Sequence, residues 1–184
     1  MQVHVVDHPL AAVELTRLRD ERTDQAGFRA ALGRLSHHLV YEASRDIDVH
    51  PVDVVTPMGP ASGVELATGP GLPLLVPILR AGLGMLDAAL AVLSGADTGF
   101  IGLRRDEETL QPDVYLNSVP EALDGQPAFV LDPMLATAGS AIHACRALRE
   151  AGAGTITVIC VLSAPEGIEA VSYTHLTLPT KVTV

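Results

Sequence analysis

Lysine occurs once in this chain of 184 residues, tryptophan not at all, and cysteine only as Cys145 and Cys160. Two cysteines without Cys-x-x-Cys spacing cannot build a disulfide framework, so a reducing cytoplasm is the expected home. Aromatic residues make up 3% of the chain, which removes the usual stacking platforms for nucleic-acid bases. The 12 basic residues face 22 acidic ones, a formal net charge of -10. That balance supplies no concentrated basic face, so neither a nucleic acid nor a membrane surface is an expected partner. No apolar run is long enough to span a membrane, and the first residues lack the basic-then-apolar order of a signal peptide.

What is there is apolar and evenly mixed. Hydrophobic residues make up 48% of the chain and the mean hydropathy is +0.31, enough for one domain with a sizeable core. The composition breaks at one point. Residues 1–171 carry eleven arginines and no lysine, whereas residues 172–184 (SYTHLTLPTKVTV) hold Lys181, four threonines and no acid. The string VSYTHLTLPT is similar to the translation of a transposon-derived sequencing adapter. The expectation is one natural domain over 1–171, cut short, followed by a foreign tail over 172–184 that is left out of fold reasoning.

The periodicities predict an α/β fold. Asp24 is a fitting N-cap for a helix to about Arg45 with Phe28, Leu32, Leu35 and Leu39 on its apolar face. His50–Thr56 reads as a strand followed by a Pro/Gly-rich loop through Gly71. Leu74–Leu79 and Ala128–Leu131 are continuous apolar runs, the pattern of strands buried on both faces. Gly82 and Gly84 open a helix with Leu86, Leu90 and Leu93. Gly99–Leu103, Gln111–Ser118 and Thr155–Leu162 are further strands, and a helix from Gly139 carries Ile142, Cys145 and Leu148 before stopping at Gly152. This alternation predicts a mostly parallel sheet flanked by helices.

In such a sheet ligands gather beyond the carboxyl ends of the strands. Arg80, Arg104-Arg105 and Asp132 stand at three of those ends, a combination suited to an anion with its metal. The most informative segment is Asp132-Pro133-Met134-Leu135-Ala136-Thr137-Ala138-Gly139-Ser140, where a buried strand ends in a carboxylate and a small-residue loop runs into a helix. Small side chains let backbone N–H groups approach a phosphate, and the helix end adds partial positive charge. The plainer reading is an ordinary turn with Asp132 and Ser140 as local caps.

These residues resemble a known family. VLDPMLATAGS is similar to the 5-phosphoribosyl diphosphate (PRPP) loop of the uracil phosphoribosyltransferases, within the type I phosphoribosyltransferase fold. HPLAA at His8, Val40-Tyr41-Glu42, VPILRAGLGM, IGLRRDEETLQP and APEGIEA extend the likeness over residues 3–171. The resemblance implies uracil and PRPP as substrates, UMP and diphosphate as products, Mg²⁺ bound mainly through PRPP, GTP as an effector and a homo-oligomer when intact. It implies Arg80 and Arg105 on the diphosphate and Asp132 on the ribose hydroxyls. Pro133, Met134 and Leu135 would lead into Ala136, Thr137, Ala138, Gly139 and Ser140 around the 5′-phosphate. No covalent nucleophile and no direct protein ligand to the metal are implied.

Two departures stand out. Ala138 occupies a position where the family loop has glycine, and a Cβ there is strained if φ is positive. The family's uracil-contacting segment, Tyr-Ile-x-Pro-Gly-Leu-Gly-Asp, is not among these residues, so this polypeptide is expected to bind PRPP without forming UMP. The alternatives are an RNA-binding regulator on the same fold, disfavoured by the acidic balance, and a sibling enzyme using another base.

Overall fold

The computed structural model describes residues 2–66, 71–105, 112–173 and 180–183. The elements in chain order are β1 (Gln2–His4), α1 (Pro9–Arg19), α2 (Gln25–Ala43), β2 (Val49–Thr56), β3 (Gly59–Leu66), β4 (Leu74–Leu79), α3 (Leu83–Val92) and β5 (Ile101–Arg105). They continue with β6 (Pro112–Asn117), β7 (Ala128–Leu131), β8 (Met134–Leu135), α4 (Gly139–Glu150), β9 (Ile156–Ile159), β10 (Leu162–Ser163), α5 (Pro165–Tyr173) and β11 (Thr180–Thr183).

The central sheet has seven strands in the order β1-β11-β9-β7-β4-β5-β6. Every neighbouring pair is parallel except β5 and β6. This is the mostly parallel, helix-flanked α/β sheet that the alternation of apolar runs predicts. The runs are continuous because both sheet faces are covered. Along β4, Leu74, Val76 and Ile78 enter one hydrophobic cluster with Ala141, Ala144 and Leu148 of α4. Leu75 points the other way, into a second cluster with Leu32, Leu35 and Leu39 of α2 and Met85 of α3. Burying one such leucine contributes about 1.5–3 kcal/mol, and two filled faces supply the core.

Local signals explain most helix boundaries. The Asp24 carboxylate accepts a hydrogen bond from the Gly27 N–H at 2.7 Å and starts α2. The helix closes at Ala43, two residues before the expected end, and Phe28 in its first turn is exposed instead of joining the apolar face. Helix α1, which weak periodicity concealed, begins with Pro9 at its first position behind His8, whose ring accepts from the Leu10 N–H. Buried Glu14 ties α1 to α2 by accepting from Arg17 at 2.6 Å and Arg34 at 2.9 Å. The Arg34 and Arg17 hydrogen bonds hold its carboxyl below the ordinary carboxylate range against the opposing effect of desolvation.

Two sequence expectations need correction. The loop expected after Thr56 contains a second strand, β3, paired antiparallel with β2 from Val49↔Leu66 to Thr56↔Gly59. Its proline and glycines read as breakers, but both strands of a two-stranded hairpin are edges, where Pro60 is tolerated, and Gly59 takes φ +121 at the turn. The strand expected over Thr155–Leu162 ends at Ile159, because the chain leaves the sheet and Leu162–Ser163 pairs with β8 instead. Within residues 172–184, Thr180–Thr183 forms β11 and pairs in parallel with both β9 and β1. Such ladders use backbone groups, which any non-proline sequence supplies.

Candidate active site at the sheet's switch point

Strand β4 is followed by β5 on one side, and the chain then returns to place β7 on the other side of β4. The order therefore reverses between β4 and β7, and the crevice beyond their carboxyl ends is where an open α/β sheet receives its ligand. Arg80 follows β4 directly, Asp132 follows β7, and Arg104-Arg105 ends the adjoining β5. Three strand ends, with residues separated by up to 52 positions, thus come to one rim.

Arg80 is exposed and, among the described residues, forms no ion pair. The Leu79–Arg80 peptide is cis. Two residues later, Gly82 lies so close to β7 that a Cβ would collide with the Leu131 carbonyl oxygen and sit 2.7 Å from the Ile78 nitrogen. This absent side chain brings the Arg80 turn against the strand end that carries Asp132. Among the described residues no carboxylate pairs with it, and an exposed guanidinium of this kind suits an anion from solution.

Asp132 stands half-buried at the end of β7, its own N–H still donating to the Ile159 carbonyl at 3.2 Å. Its carboxylate accepts from the Met134 N–H at 3.4 Å, and among the described residues that is its one hydrogen bond. Burial pushes the carboxyl up to about 6, with the Met134 N–H opposing the shift. A carboxylate with little internal compensation gains from a ligand that brings hydroxyl donors.

Pro133, Met134 and Leu135 follow as a short strap, with Met134 exposed and Leu135 buried. Ala136, Thr137 and Gly139 are exposed, and Ser140 is half-buried. Helix α4 begins behind Ala138, which provides no side-chain cap. The local-cap reading of Ser140 therefore does not hold, since Ser140 lies inside the helix. The first-turn N–H groups of α4 face the loop with no capping oxygen from its own N-cap residue, the arrangement that receives a phosphate. Ala138 adopts φ +62 and ψ 4, the left-handed conformation that the departure from glycine made a concern. A Cβ there costs about 1–2 kcal/mol, partly offset because the methyl is 5% exposed and packs into the core.

Arg104 is paired with Asp113 at 2.7 Å across the β5–β6 ladder and is not free for a ligand. Arg105 closes β5, and its side chain lies outside the described residues, as do Glu107 and Glu108. Cys160 lies just past β9, near Asp132; burial, reinforced by that carboxylate, pushes its thiol up to about 12. Burial likewise raises Cys145 to about 12, so neither is a nucleophile. Among the described residues no group of three or more His, Cys, Asp or Glu could hold a metal ion, and no helix is long and apolar enough to cross a membrane.

Sequence reasoning missed the support beneath the loop. The N–H groups of Val161 and Leu162 both donate to the Pro133 carbonyl at 3.1 Å, and the Ala164 N–H donates to Leu135 at 2.9 Å. The APEGIEA string signals this segment, but its contact with residues 133–136 is long-range and has no periodic signature.

Comparisons with known proteins give the family and the fold. The family model described as uracil phosphoribosyltransferase matches residues 5–184. A uracil phosphoribosyltransferase of Corynebacterium glutamicum (strain R) is 51% identical over 176 residues, covering 96% of this chain and 82% of the relative. Among solved structures, the AQ2163 protein from Aquifex aeolicus is 33% identical with a TM-score of 0.88, covering all of this chain and 87% of that one. Adenine phosphoribosyltransferase from Leishmania donovani shares the fold, with a TM-score of 0.63 at 14% identity and coverage of 99% and 83%.

Proposed function

Because the chain belongs to the uracil phosphoribosyltransferase family, we propose that the rim between β4 and β7 binds PRPP and presents its anomeric carbon to uracil, giving UMP and diphosphate. The observation that carries this reading is that Arg80 and Asp132 follow the adjacent strands β4 and β7 at the switch point, with a loop from Asp132 leading to a helix start without a side-chain cap.

Each group then has work suited to its chemistry. The planar guanidinium groups of Arg80 and Arg105 take the diphosphate, since they stay charged and offer paired donors. Ionised Asp132 accepts hydrogen bonds from the two ribose hydroxyls. Backbone N–H groups from Ala136 to Ser140, with the hydroxyls of Thr137 and Ser140, surround the 5′-phosphate. Transfer passes through an oxocarbenium-like state, so the protein's contribution is to hold the ribose and stabilise the departing diphosphate. No side chain needs to attack, which agrees with the inert thiols.

The residues present fit Mg²⁺ held chiefly by substrate oxygens and water: one under-compensated carboxylate and two hydroxyls line the rim. When bound, Mg²⁺ neutralises charge developing on the diphosphate. The reading extends to a cytoplasmic homo-oligomer. The β2–β3 hairpin supports self-association, for Val55 is 91% and Met58 96% exposed. A GTP effector belongs to the reading through resemblance alone.

The uracil side is part of the same proposal. The Tyr-Ile-x-Pro-Gly-Leu-Gly-Asp segment is not among the 184 residues, and residues 172–184 differ in composition from the rest. The test is UMP formation from uracil and PRPP by the 184-residue polypeptide, beside residues 1–171 joined to a family C-terminus. Turnover is expected only from the second. Equal turnover would make residues 172–184 a working part of the enzyme, and turnover from neither would remove the proposed reaction.

A further inference from the structure

We propose that Gly167 is a positioning residue for the phosphate loop, its missing side chain letting the first turn of α5 hold the backbone at Leu135 and Ala136 in place. The inference rests on the phosphate-binding reading above and adds a residue to it.

A Cβ on Gly167 would collide with the Ala136 carbonyl oxygen and lie 2.6 Å from that of Leu135. Both obstacles are backbone atoms, which cannot turn aside as the end of a flexible side chain can. The same stretch of chain follows the loop along its length. Leu162 pairs with Met134 and Ser163 with Leu135. Beyond them, Ala164 donates to the Leu135 carbonyl at 2.9 Å. The Gly167 and Ile168 N–H groups in turn donate to the Ala164 carbonyl, at 3.0 and 3.1 Å. Residues 161–168 and 133–135 therefore form one hydrogen-bonded unit, and Gly167 sits where a side chain would strike the backbone at its end.

Conformational freedom does not account for a glycine here. Gly167 lies in helix α5 and, unlike Gly59, Gly125 and Gly152, has no positive φ. Alanine is the better helix former, so propensity alone makes Gly167→Ala stabilising. Only the space shared with the loop gives the opposite sign. A displaced Ala136 carries the following N–H groups with it and misplaces them for a phosphate, while Arg80, just after β4, is untouched.

The test is calorimetric titration of the full chain with ribose 5-phosphate and, separately, with diphosphate and Mg²⁺. Gly167→Ala is compared with Gly154→Ala, whose Cβ would strike the Gly125 carbonyl oxygen at the opposite end of the sheet. Gly167→Ala is expected to weaken ribose 5-phosphate binding about tenfold or more and to leave diphosphate affinity unchanged. Gly154→Ala is expected to lower Tm and leave both affinities at the parent value. Parent-like ribose 5-phosphate affinity in Gly167→Ala overturns the proposal with the phosphate site intact; no ribose 5-phosphate binding by the parent overturns both. If Gly167→Ala does not fold, amide hydrogen exchange on the parent decides. Ribose 5-phosphate should slow exchange at Ala164 and Gly167 but not at Gly154, and unchanged exchange at the first two overturns the proposal.

Discussion

Replacing Asp132 by asparagine should raise stability and lower function together. Burial pushes the Asp132 carboxyl up to about 6, from an ordinary value of 3.8. Because the folded value lies above the unfolded one, the folded state binds the proton more tightly. Its stabilising contribution is complete below about pH 4 and is lost as pH rises through 6. At pH 8 the chain holds an ionised carboxylate at a cost on the order of 2–3 kcal/mol. Asparagine keeps the shape and an oxygen for the Met134 N–H but carries no charge. Asp132→Asn should therefore be about 1–2 kcal/mol more stable than the parent at pH 8 and equal to it near pH 4. Loss of a charge-assisted bond to the ribose should weaken PRPP binding by about 1.5–3 kcal/mol, some 10- to 150-fold. Urea denaturation at the two pH values and titration with PRPP and Mg²⁺ supply both readings. A variant that is less stable at pH 8, or that binds PRPP like the parent, refutes the reasoning.

Arg80→Lys and Arg105→Lys keep charge but lose the planar fork, and each should weaken PRPP binding roughly tenfold by calorimetry; unchanged constants in both would leave Arg105 to a surface ion pair with Glu107 or Glu108. Ala138→Gly removes about 1–2 kcal/mol of left-handed strain, but loses a buried methyl worth about 0.8 kcal/mol and gains unfolded-chain entropy of about 0.4–1 kcal/mol. Its stability should stay within about 1 kcal/mol of the parent by urea denaturation, and a loss above 2 kcal/mol would deny the strain at φ +62. Glu14→Gln breaks the links to Arg34 and Arg17 and should cost about 1 kcal/mol at pH 7. Because the Glu14 carboxyl is held below its ordinary value, that contribution is present above pH 4.5 and fades as pH falls through the lowered value, so parent and variant should converge in acid.

The legible parts of this fold are those where one residue's environment repeats along the chain. Leu74–Leu79 and Ala128–Leu131 could be read to the residue because both sheet faces are buried, and Asp24 marked its helix by capping chemistry. The β2–β3 hairpin was half hidden because it is a two-stranded sheet of its own, with Val55 and Met58 in solvent and no strongly buried face to impose alternation. Asp132, the loop through Ser140 and Arg80 were visible as polar residues ending apolar strands. That Arg80 and Asp132 follow adjacent strands depends on strand order, which no local pattern encodes. The roles of Gly82 and Gly167 were invisible for the same reason, since each is defined by a backbone atom far away in sequence. Arg104 and Arg105 looked alike in sequence, and the Asp113 ion pair shows that Arg104 has a partner of its own.

The proposed PRPP site is the crevice between β4 and β7, on the loop that starts α4. Titrating isotopically labelled chain with PRPP and Mg²⁺ while recording amide shifts tests it most directly. The largest changes should fall on Arg80, Asp132 and Ala136 to Ser140, with the β2–β3 hairpin and α1 unmoved. Saturation with no change along Ala136–Ser140, or with changes confined to the α2–α3 groove around Arg29, His37 and Asp87, would contradict it.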